Sequence, residues 1–302
     1  MMQAAPPDRK PMPAWRCRGR ALDGCNRPLV MGILNCTPDS FSDGGRYLDP
    51  ERAVQRGMEM IDQGADIVDV GGESTRPGAA PVSAEEESRR VESVIRALSG
   101  PCLERAGRGD RAVAISIDTS KAAVAERALA AGADIVNDIT ALTGDGRMAG
   151  VVLESGAGAI LMHMQGEPRT MQQHPAYSDV VDEVVGFLGA RLAALGEAGI
   201  PMENLAVDPG IGFGKTLEHN LALLGGLSAF GRLGRPVVVG ISRKSFLGRL
   251  TGLPVDRRLI PGIAALSFCM TRGGNVFRVH DVPETVAAVR VVSSLLSGRA
   301  ED

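Results

Sequence analysis

Apolar and polar positions alternate in blocks along this chain, and the block that begins at Leu29 shows the pattern most clearly. Residues 29–34 are aliphatic apart from one glycine and follow Pro28, which is typical of a buried strand in a parallel sheet. Asn35 ends the run. The next residues, 36–45, are rich in Pro, Asp, Ser and Gly and carry one aromatic side chain, Phe41. A strand that leads into such a loop is the unit that α/β proteins repeat.

The same unit recurs along the rest of the sequence. The apolar runs predict eight strands, at residues 29–34, 65–72, 113–118, 133–139, 157–164, 205–208, 236–242 and 276–280. The segments between and after the strands have helical spacing and predict helices at residues 50–64, 84–98, 121–131, 145–154, 178–198, 216–233, 256–271 and 283–297. An internal near-repeat supports this interpretation, since AGADIVND at 131–138 echoes QGADIVD at 63–69.

Strict alternation of strands and helices favours a parallel sheet, and eight strands favour closure into a (β/α)8 TIM barrel over an open doubly wound sheet, the alternative. A chain of 302 residues suits one barrel and also two smaller domains. Because no linker follows residue 28, we expect one domain over residues 14–302. Residues 1–13 are predicted to form a disordered tail. Residues 15–28 are predicted to form a small N-terminal hairpin beneath the barrel floor.

Composition narrows the classes of function. The 33 basic and 36 acidic residues give a net charge of −3, which argues against a nucleic-acid-binding protein. No apolar run approaches the ~18 residues that a membrane span needs. The five cysteines are scattered without a CxxC pair, which is typical of reduced thiols in a cytoplasmic protein. His163, His174 and His219 form no HExxH pattern, so we expect them to be packing or surface residues and expect no protein-bound zinc.

Polar side chains stand where the predicted strands end. In a barrel these ends share one mouth, where active sites form. The residues placed there are Asn35, Glu73 with residues 74–76, Asp118, Asn137 with Asp138, His163, Asp208, residues 242–244, Arg278 and His280. The cations fall on the last two strands, where barrels commonly bind phosphate, so we expect a phosphate or pyrophosphate group on the substrate. The alternative is a set of salt bridges with neighbouring acids.

The acids need a different explanation, because Asp118 and Asp208 each end a buried strand. An ionised carboxylate is costly there unless it is paired or receives hydrogen bonds. A flat heterocycle with an amidine-like edge supplies two N–H donors, and Asn137 can read a mixed donor and acceptor edge beside it. The alternative is that each acid is tied to backbone amides or a lysine. The loop DPGIGFGK at 208–215 suits close approach to a ligand but lacks the spacing of a nucleotide P-loop.

Eight motifs in order resemble those of the dihydropteroate synthase family. They are MGILNCTPDSFSDGG at 31–45, VDVGGESTRPGA at 68–79, SIDT at 116–119, NDI at 137–139, HMQGEPRTMQ at 163–172, DPGIGFGK at 208–215, SRKSF at 242–246 and RVHDV at 278–282. One departure is Cys36, where the family usually has valine, and it should barely alter a small apolar site.

The resemblance implies an activity. Members of the family join 6-hydroxymethyl-7,8-dihydropterin pyrophosphate to para-aminobenzoate in an SN1-like transfer, release pyrophosphate and form 7,8-dihydropteroate for folate synthesis. They are the targets of sulfonamides, which mimic the aminobenzoate. The resemblance further implies Mg²⁺ as cofactor and a homodimer.

The same match implies roles for individual residues. The pterin site would contain Asp118, Asn137, Met164, Asp208, Phe213 and Lys244. The pyrophosphate site would contain Asn35, Thr75, Arg278 and His280, with Mg²⁺ near Asn35. The aminobenzoate site would contain Phe41, Thr75, Arg76, Pro77 and Ser245. Catalytic roles are expected for Asp43, Arg76 and Lys244.

Two other functions fit the same barrel. The pterin-binding domains of corrinoid methyltransferases bind a methylated folate, but they have no reason to keep SFSDGG and ESTRPG as paired loops. A degenerate paralogue could serve as a partner subunit, yet all the motif side chains are present. Both alternatives lack pyrophosphate chemistry, and this distinguishes them from a synthase.

Overall fold

The computed structural model describes residues 12–22, 27–37, 49–74, 80–107, 112–168 and 170–299. An antiparallel hairpin comes first, formed by β1 (Trp15–Cys17) and β2 (Arg20–Leu22). Eight further strands follow: β3 (Leu29–Asn35), β4 (Ile67–Gly71), β5 (Ala114–Asp118), β6 (Ile135–Asp138), β7 (Gly158–Met162), β8 (Leu205–Asp208), β9 (Val238–Gly240) and β10 (Val276–Val279).

These eight strands form a closed parallel sheet. Each strand from β3 to β7 pairs with the next one in sequence, and β10 lies between β3 and β9. A parallel bridge between Val207 and Val237 joins β8 to the segment that enters β9, so the two edges meet. The predicted (β/α)8 barrel is confirmed, and the open-sheet alternative is wrong. Of the predicted tail at 1–13, only residues 12 and 13 lie within the described ranges.

Helices connect the strands and pack on the outside of the barrel. They are α1 (Pro50–Asp62), α2 (Ala84–Gly107), α3 (Ala122–Ala131), α4 (Met148–Ser155), α5 (Val180–Glu197), α6 (Leu217–Gly225), α7 (Ser245–Thr251), α8 (Leu259–Thr271) and α9 (Val282–Ser297). The outward side chains of the strands and the inward faces of these helices form one large apolar core.

The structure differs from the predicted helices in three places. The helix expected at 216–233 ends at Gly225 and continues as a 3-10 segment over Leu227–Leu233, because consecutive glycines weaken helical backbone. Helix α2 runs past Pro101 instead of ending at residue 98, and burial of Cys102 in the core offsets the hydrogen bond that proline removes. Helix α7 was not predicted, because seven residues are too few to show a helical period.

The hairpin seals the floor of the barrel, as predicted. Trp15 is fully buried against the first interior residues of the strands, Leu29, Ile67 and Ile160 among them. Its indole Nε1 donates a hydrogen bond to the carbonyl oxygen of Asn204 at 3.1 Å. The floor is therefore apolar and closed, so a polar site can form only at the opposite end of the strands.

Two features are absent from the described ranges. None of their helices is long and apolar enough to cross a membrane. No cluster of three or more His, Cys, Asp or Glu side chains within them is arranged to hold a metal ion. The four cysteines in these ranges, Cys17, Cys36, Cys102 and Cys269, are buried.

Candidate active site

Side chains of successive strand residues point alternately into the barrel and outward, and this alternation brings distant polar residues together. In β4, Ile67 packs in the floor cluster while Val68 and Val70 face the helices, so Asp69 lies inside the barrel. The same alternation places Asp118 of β5 on the interior. Acids that are far apart in sequence therefore line one mouth.

Arg278 of β10 joins two of these acids. Its Nε donates to Asp69 Oδ2 at 2.6 Å, and its Nη2 donates to Asp118 Oδ2 at 2.7 Å. Asn137 of β6 donates through Nδ2 to the same Asp69 oxygen at 3.2 Å. Four strands are thus connected inside the barrel. For Arg278, the alternative of a salt bridge with neighbouring acids is the arrangement present in this structure, and its proposed contact with phosphate stays a prediction.

Burial changes the protonation of these groups. It raises the pKa of Asp118 to about 7, although the Arg278 guanidinium opposes the shift, and Asp69 adds to it. Burial also raises the pKa of Asp208, against the opposing charge of Lys244. Conversely, burial lowers the pKa of Lys244 to about 8, with Asp208 opposing that change. Groups that titrate near neutrality in a shared cleft are typical of functional sites.

A second cluster forms where β8 leads into its loop. Asp208 accepts a hydrogen bond through Oδ1 from the backbone N–H of Gly210 at 2.7 Å. The ammonium group of Lys244 donates to the carbonyl oxygen of Ile211 and lies 4.7 Å from the centroid of the Phe213 ring. Three residues expected at the pterin site therefore lie together. Met164, half-buried, follows the end of β7.

The expected phosphate-binding residues have partners of their own. His280 Nδ1 lies 3.0 Å from Ser242 Oγ, which also accepts a hydrogen bond from the His280 backbone N–H at 3.2 Å. Arg243 pairs with Asp281, with 2.5 Å between Nη2 and Oδ1. Asn35 is half-buried at the end of β3, and Ser245 is the first residue of α7.

The other expected site residues cannot be placed. Phe41 and Asp43 of the first loop lie outside the described residues, as do Thr75, Arg76 and Pro77 of the second. Their roles in aminobenzoate binding and catalysis stay predictions.

Sequence reasoning missed two site features. Asp69 was not selected, although an acid at an interior position of an otherwise aliphatic strand was a usable signal. Lys215 was treated only as the end of a glycine-rich loop, yet it is buried and its Nζ lies 3.0 Å from His163 Nδ1. His163 itself was predicted to be a packing or surface residue. It is buried with its ring edge against Phe187 at 5.0 Å between centroids, in agreement with packing.

A charged triad fixes the start of the second loop. The Lys121 ammonium group lies 2.5 Å from Oε2 of Glu73 and 2.5 Å from Oε2 of Glu87, and Glu87 is fully buried. Glu73 also accepts a hydrogen bond from the backbone N–H of Val82 at 3.0 Å. The Lys121 side chain, which follows β5, thus connects the loop after β4 to helix α2.

Comparisons with known proteins agree with this geometry. A family model described as "Pterin binding enzyme" matches residues 31–280. The dihydropteroate synthase of Escherichia coli K12 is 46% identical over 282 residues, which cover 93% of this chain and 96% of that protein. Two solved structures have TM-scores of 0.84 and 42% identity. The Xanthomonas albilineans dihydropteroate synthase with 4-aminobenzoic acid covers 94% of this chain and 98% of its own. The Yersinia pestis enzyme in a sulfonamide drug complex covers 95% and 100%.

We predict that Lys121→Met lowers the free energy of unfolding by ~2–4 kcal/mol, because Glu87 would remain buried without its counter-charge. The expected loss in unfolding free energy is smaller than for a fully buried ion pair, since the Lys121 side chain is 27% exposed. Chemical denaturation measures the change. Adding Glu87→Gln should restore part of the loss.

The control for this prediction is Arg96→Met, which breaks an exposed pair with Glu92 and should cost less than ~1 kcal/mol. Equal losses in Lys121→Met and Arg96→Met would contradict a special role for the triad.

Proposed function

The chain belongs to the dihydropteroate synthase family of pterin-binding enzymes, and from that premise we propose that its barrel mouth joins 6-hydroxymethyl-7,8-dihydropterin pyrophosphate to para-aminobenzoate, giving 7,8-dihydropteroate and pyrophosphate. One observation carries the proposal. Three strands supply the partly buried Asp118 and the buried Asn137 and Asp208 to the same mouth, and the opposite end of the barrel is an apolar floor.

The pterin is proposed to bind against these acids and amide. A pterin ring presents several N–H donors along one edge, and a buried carboxylate gains most from such donors because its own burial is unfavourable. Acceptor capacity remains beneath the mouth, since Asp69 Oδ1 and Ser116 Oγ are buried without a hydrogen-bond partner among the described residues. Lys244 would add a donor, while Met164 and Phe213 would supply apolar walls.

The pyrophosphate is proposed to bind at Asn35, Thr75, Arg278 and His280. A guanidinium group carries five N–H donors, of which Asp69 and Asp118 engage two. The remaining donors suit phosphate oxygens. Arg278 would therefore link the pyrophosphate site to the pterin site, because it already contacts Asp118.

Asn35 is the residue proposed to hold Mg²⁺. Its amide oxygen is a hard ligand at the mouth, and Mg²⁺ commonly takes only one or two protein ligands and completes its coordination with water and substrate phosphates. The donor set therefore fits this ion. When bound, Mg²⁺ would supply charge stabilisation to the departing pyrophosphate.

We propose an SN1-like mechanism, because the pterin carbon that bears the pyrophosphate is benzylic in character and its bond to oxygen can break ahead of attack. Arg278 and His280 would stabilise the charge that develops on the leaving group. The ionised acids of the mouth would favour the transient cation through space. An arylamine is unprotonated at neutral pH, so its attack requires no strong general base. Asp43, Arg76 and Lys244 would position the reactants and keep water from the cation.

The aminobenzoate is proposed to bind beside the pterin at Phe41, Thr75, Arg76, Pro77 and Ser245. Ser245 follows Lys244 directly at the start of α7, so it adjoins the pterin site. A relative from Yersinia pestis was solved in a sulfonamide drug complex, which supports sulfonamides as competitors for this site.

A homodimer in the cytoplasm is proposed as the working form. Helices α8 and α9 lie next to each other and expose large apolar side chains, with Ile260, Val291 and Leu295 exposed by 80, 60 and 76%. A second copy of the chain would cover them. Light scattering of the purified chain tests this, since a monomer at micromolar concentration would contradict it.

The first test of function is aminobenzoate-dependent release of pyrophosphate. The purified chain with Mg²⁺ and the pterin substrate should release pyrophosphate only when aminobenzoate is added, and dihydropteroate should form in equal amount. A chain that binds the pterin yet releases no pyrophosphate would be a binding module or a degenerate partner subunit.

Asp208→Asn should weaken binding of the pterin substrate by roughly 2–5 kcal/mol, because the new amide presents a donor to ring donors. Isothermal titration calorimetry measures the change. Asp182→Asn, on the surface of α5, is the matched control and should leave the affinity unchanged. Unchanged affinity in Asp208→Asn would mean that Asp208 has a structural role.

Pterin affinity should rise with pH up to about 7. The raised pKa of Asp118 means that this acid is neutral below that pH and becomes the carboxylate that ring donors require above it. Below neutrality, pterin affinity should change by a factor that approaches about ten for each pH unit. Asp118→Asn should bind more weakly and lose this part of the slope. An identical pH profile in both proteins would contradict the assignment.

A further inference from the structure

The loops that follow β7 and β8 are held together by bonds from side chains to backbone carbonyl groups. Tyr177 Oη donates to the Gly214 carbonyl oxygen at 2.9 Å, and Gln172 Nε2 donates to that of Gly212 at 2.6 Å. Both acceptors lie in the glycine-rich loop after Asp208. That loop therefore takes its position from the chain that follows β7.

Lys215 lies at the centre of this contact and is only 3% exposed. Its ammonium group donates to the carbonyl oxygen of Phe213 at 2.9 Å and to that of His163 at 3.3 Å, and it lies 3.0 Å from His163 Nδ1. An ammonium group has three donors, so all three have an acceptor.

The imidazole can accept this hydrogen bond because it is neutral. Burial, with the nearby Lys215 charge, lowers the pKa of His163 to about 3. The pKa of Lys215 is lowered to about 7 by its own burial, while Asp208 opposes the shift and Lys244 adds to it. The pair thus supplies one ammonium donor and one neutral acceptor between the two loops.

Gly210 links the Asp208 side chain to the Lys215 ammonium group, because it contacts the first and lies next to the second. The Gly210 backbone N–H donates to Asp208 Oδ1, and its φ of +67° is a conformation that glycine adopts without strain. A Cβ at this position would lie 1.9 Å from the His163 carbonyl oxygen and 3.4 Å from Lys215 Nζ. The turn that orients Asp208 is therefore packed directly against both residues of the pair.

We propose that Lys215 is a positioning residue for the pterin site: its ammonium group fixes the loop after β8 on the end of β7, so that Asp208 and Phe213 face the substrate together. Lys215 itself does not touch the substrate. This inference rests on the proposed function, because it takes Asp208 and Phe213 as pterin-binding residues.

The chemistry of the position explains why a lysine is needed there. The ammonium group satisfies three acceptors and places a positive charge behind a buried carboxylate, which favours the ionised form of Asp208. Methionine has a similar length but supplies neither donors nor charge. The loop could then still fold, but its turn would lose the bonds that set the direction of Asp208.

The test compares Lys215→Met with the wild-type enzyme at a temperature where both are folded. Pterin affinity, measured by calorimetry without aminobenzoate, should fall by about 10- to 100-fold. The KM for aminobenzoate at saturating pterin should stay within about threefold. Tyr177→Phe is the matched control, since it removes one hydrogen bond between the same loops and leaves the ammonium group in place. Its pterin affinity should change by less than about threefold.

A double-mutant cycle with Asp208→Asn shows whether Lys215 acts through that acid. If it does, Lys215→Met should weaken pterin binding much less in the Asp208→Asn background than in wild type. Should Lys215→Met fail to fold, the pair His163→Asn and His163→Leu replaces it. Asparagine keeps an acceptor near the Nδ1 position and should preserve pterin affinity, whereas leucine should lower it.

Four results would overturn the inference: unchanged pterin affinity in folded Lys215→Met, an equal loss for both substrates, additive effects in the cycle, or equal affinities in the two His163 variants. A wild-type chain that releases no pyrophosphate would instead contradict the proposed function, so the two failures are distinguishable.

Discussion

A guanidinium group shared by two carboxylates on interior strand positions holds the polar end of this barrel together. Arg278 reaches Asp69 on β4 and Asp118 on β5, while Asn137 on β6 donates to the same oxygen of Asp69. Removing the Arg278 guanidinium would leave both carboxylates without this counter-charge, which typically costs several kcal/mol. The sheet can therefore carry acids on interior positions only because its last strand supplies a cation to them. This pairing makes a polar mouth compatible with a closed apolar floor.

A second group of charges completes the mouth. Asp208 lies among Lys244 and Lys215, and both lysines depend on its carboxylate to offset the burial of their own charges. The two groups together hold three acids and three cations, so the interior is close to neutral overall while each member remains sensitive to its neighbours. We infer that a flat, donor-rich ring with a charged leaving group fits this arrangement, because it can give hydrogen bonds to the acids and accept them from the cations.

Most of the fold could be predicted from the sequence, but the side-chain contacts between distant strands of the barrel could not. Aliphatic runs ended by polar residues located all eight strands, and β8 was found with its observed bounds. The role of Arg278 was only partly predicted, because strand order places it near the phosphate-binding residues while its long side chain crosses to acids on other strands. Asp69 and Lys215 were overlooked because their partners are distant in sequence or lie on another loop. Helix α7 is too short to produce a periodic signal.

The central claim is that Asp118, Asn137 and Asp208 receive the pterin ring. A crystal structure of the chain soaked with the pterin substrate or a non-reactive analogue tests it most directly. The account predicts ring N–H groups within about 3 Å of these carboxylate and amide oxygens, with the phosphate groups at Arg278 and His280. A ring bound elsewhere, with both acids still held only by the protein's own donors, would contradict it.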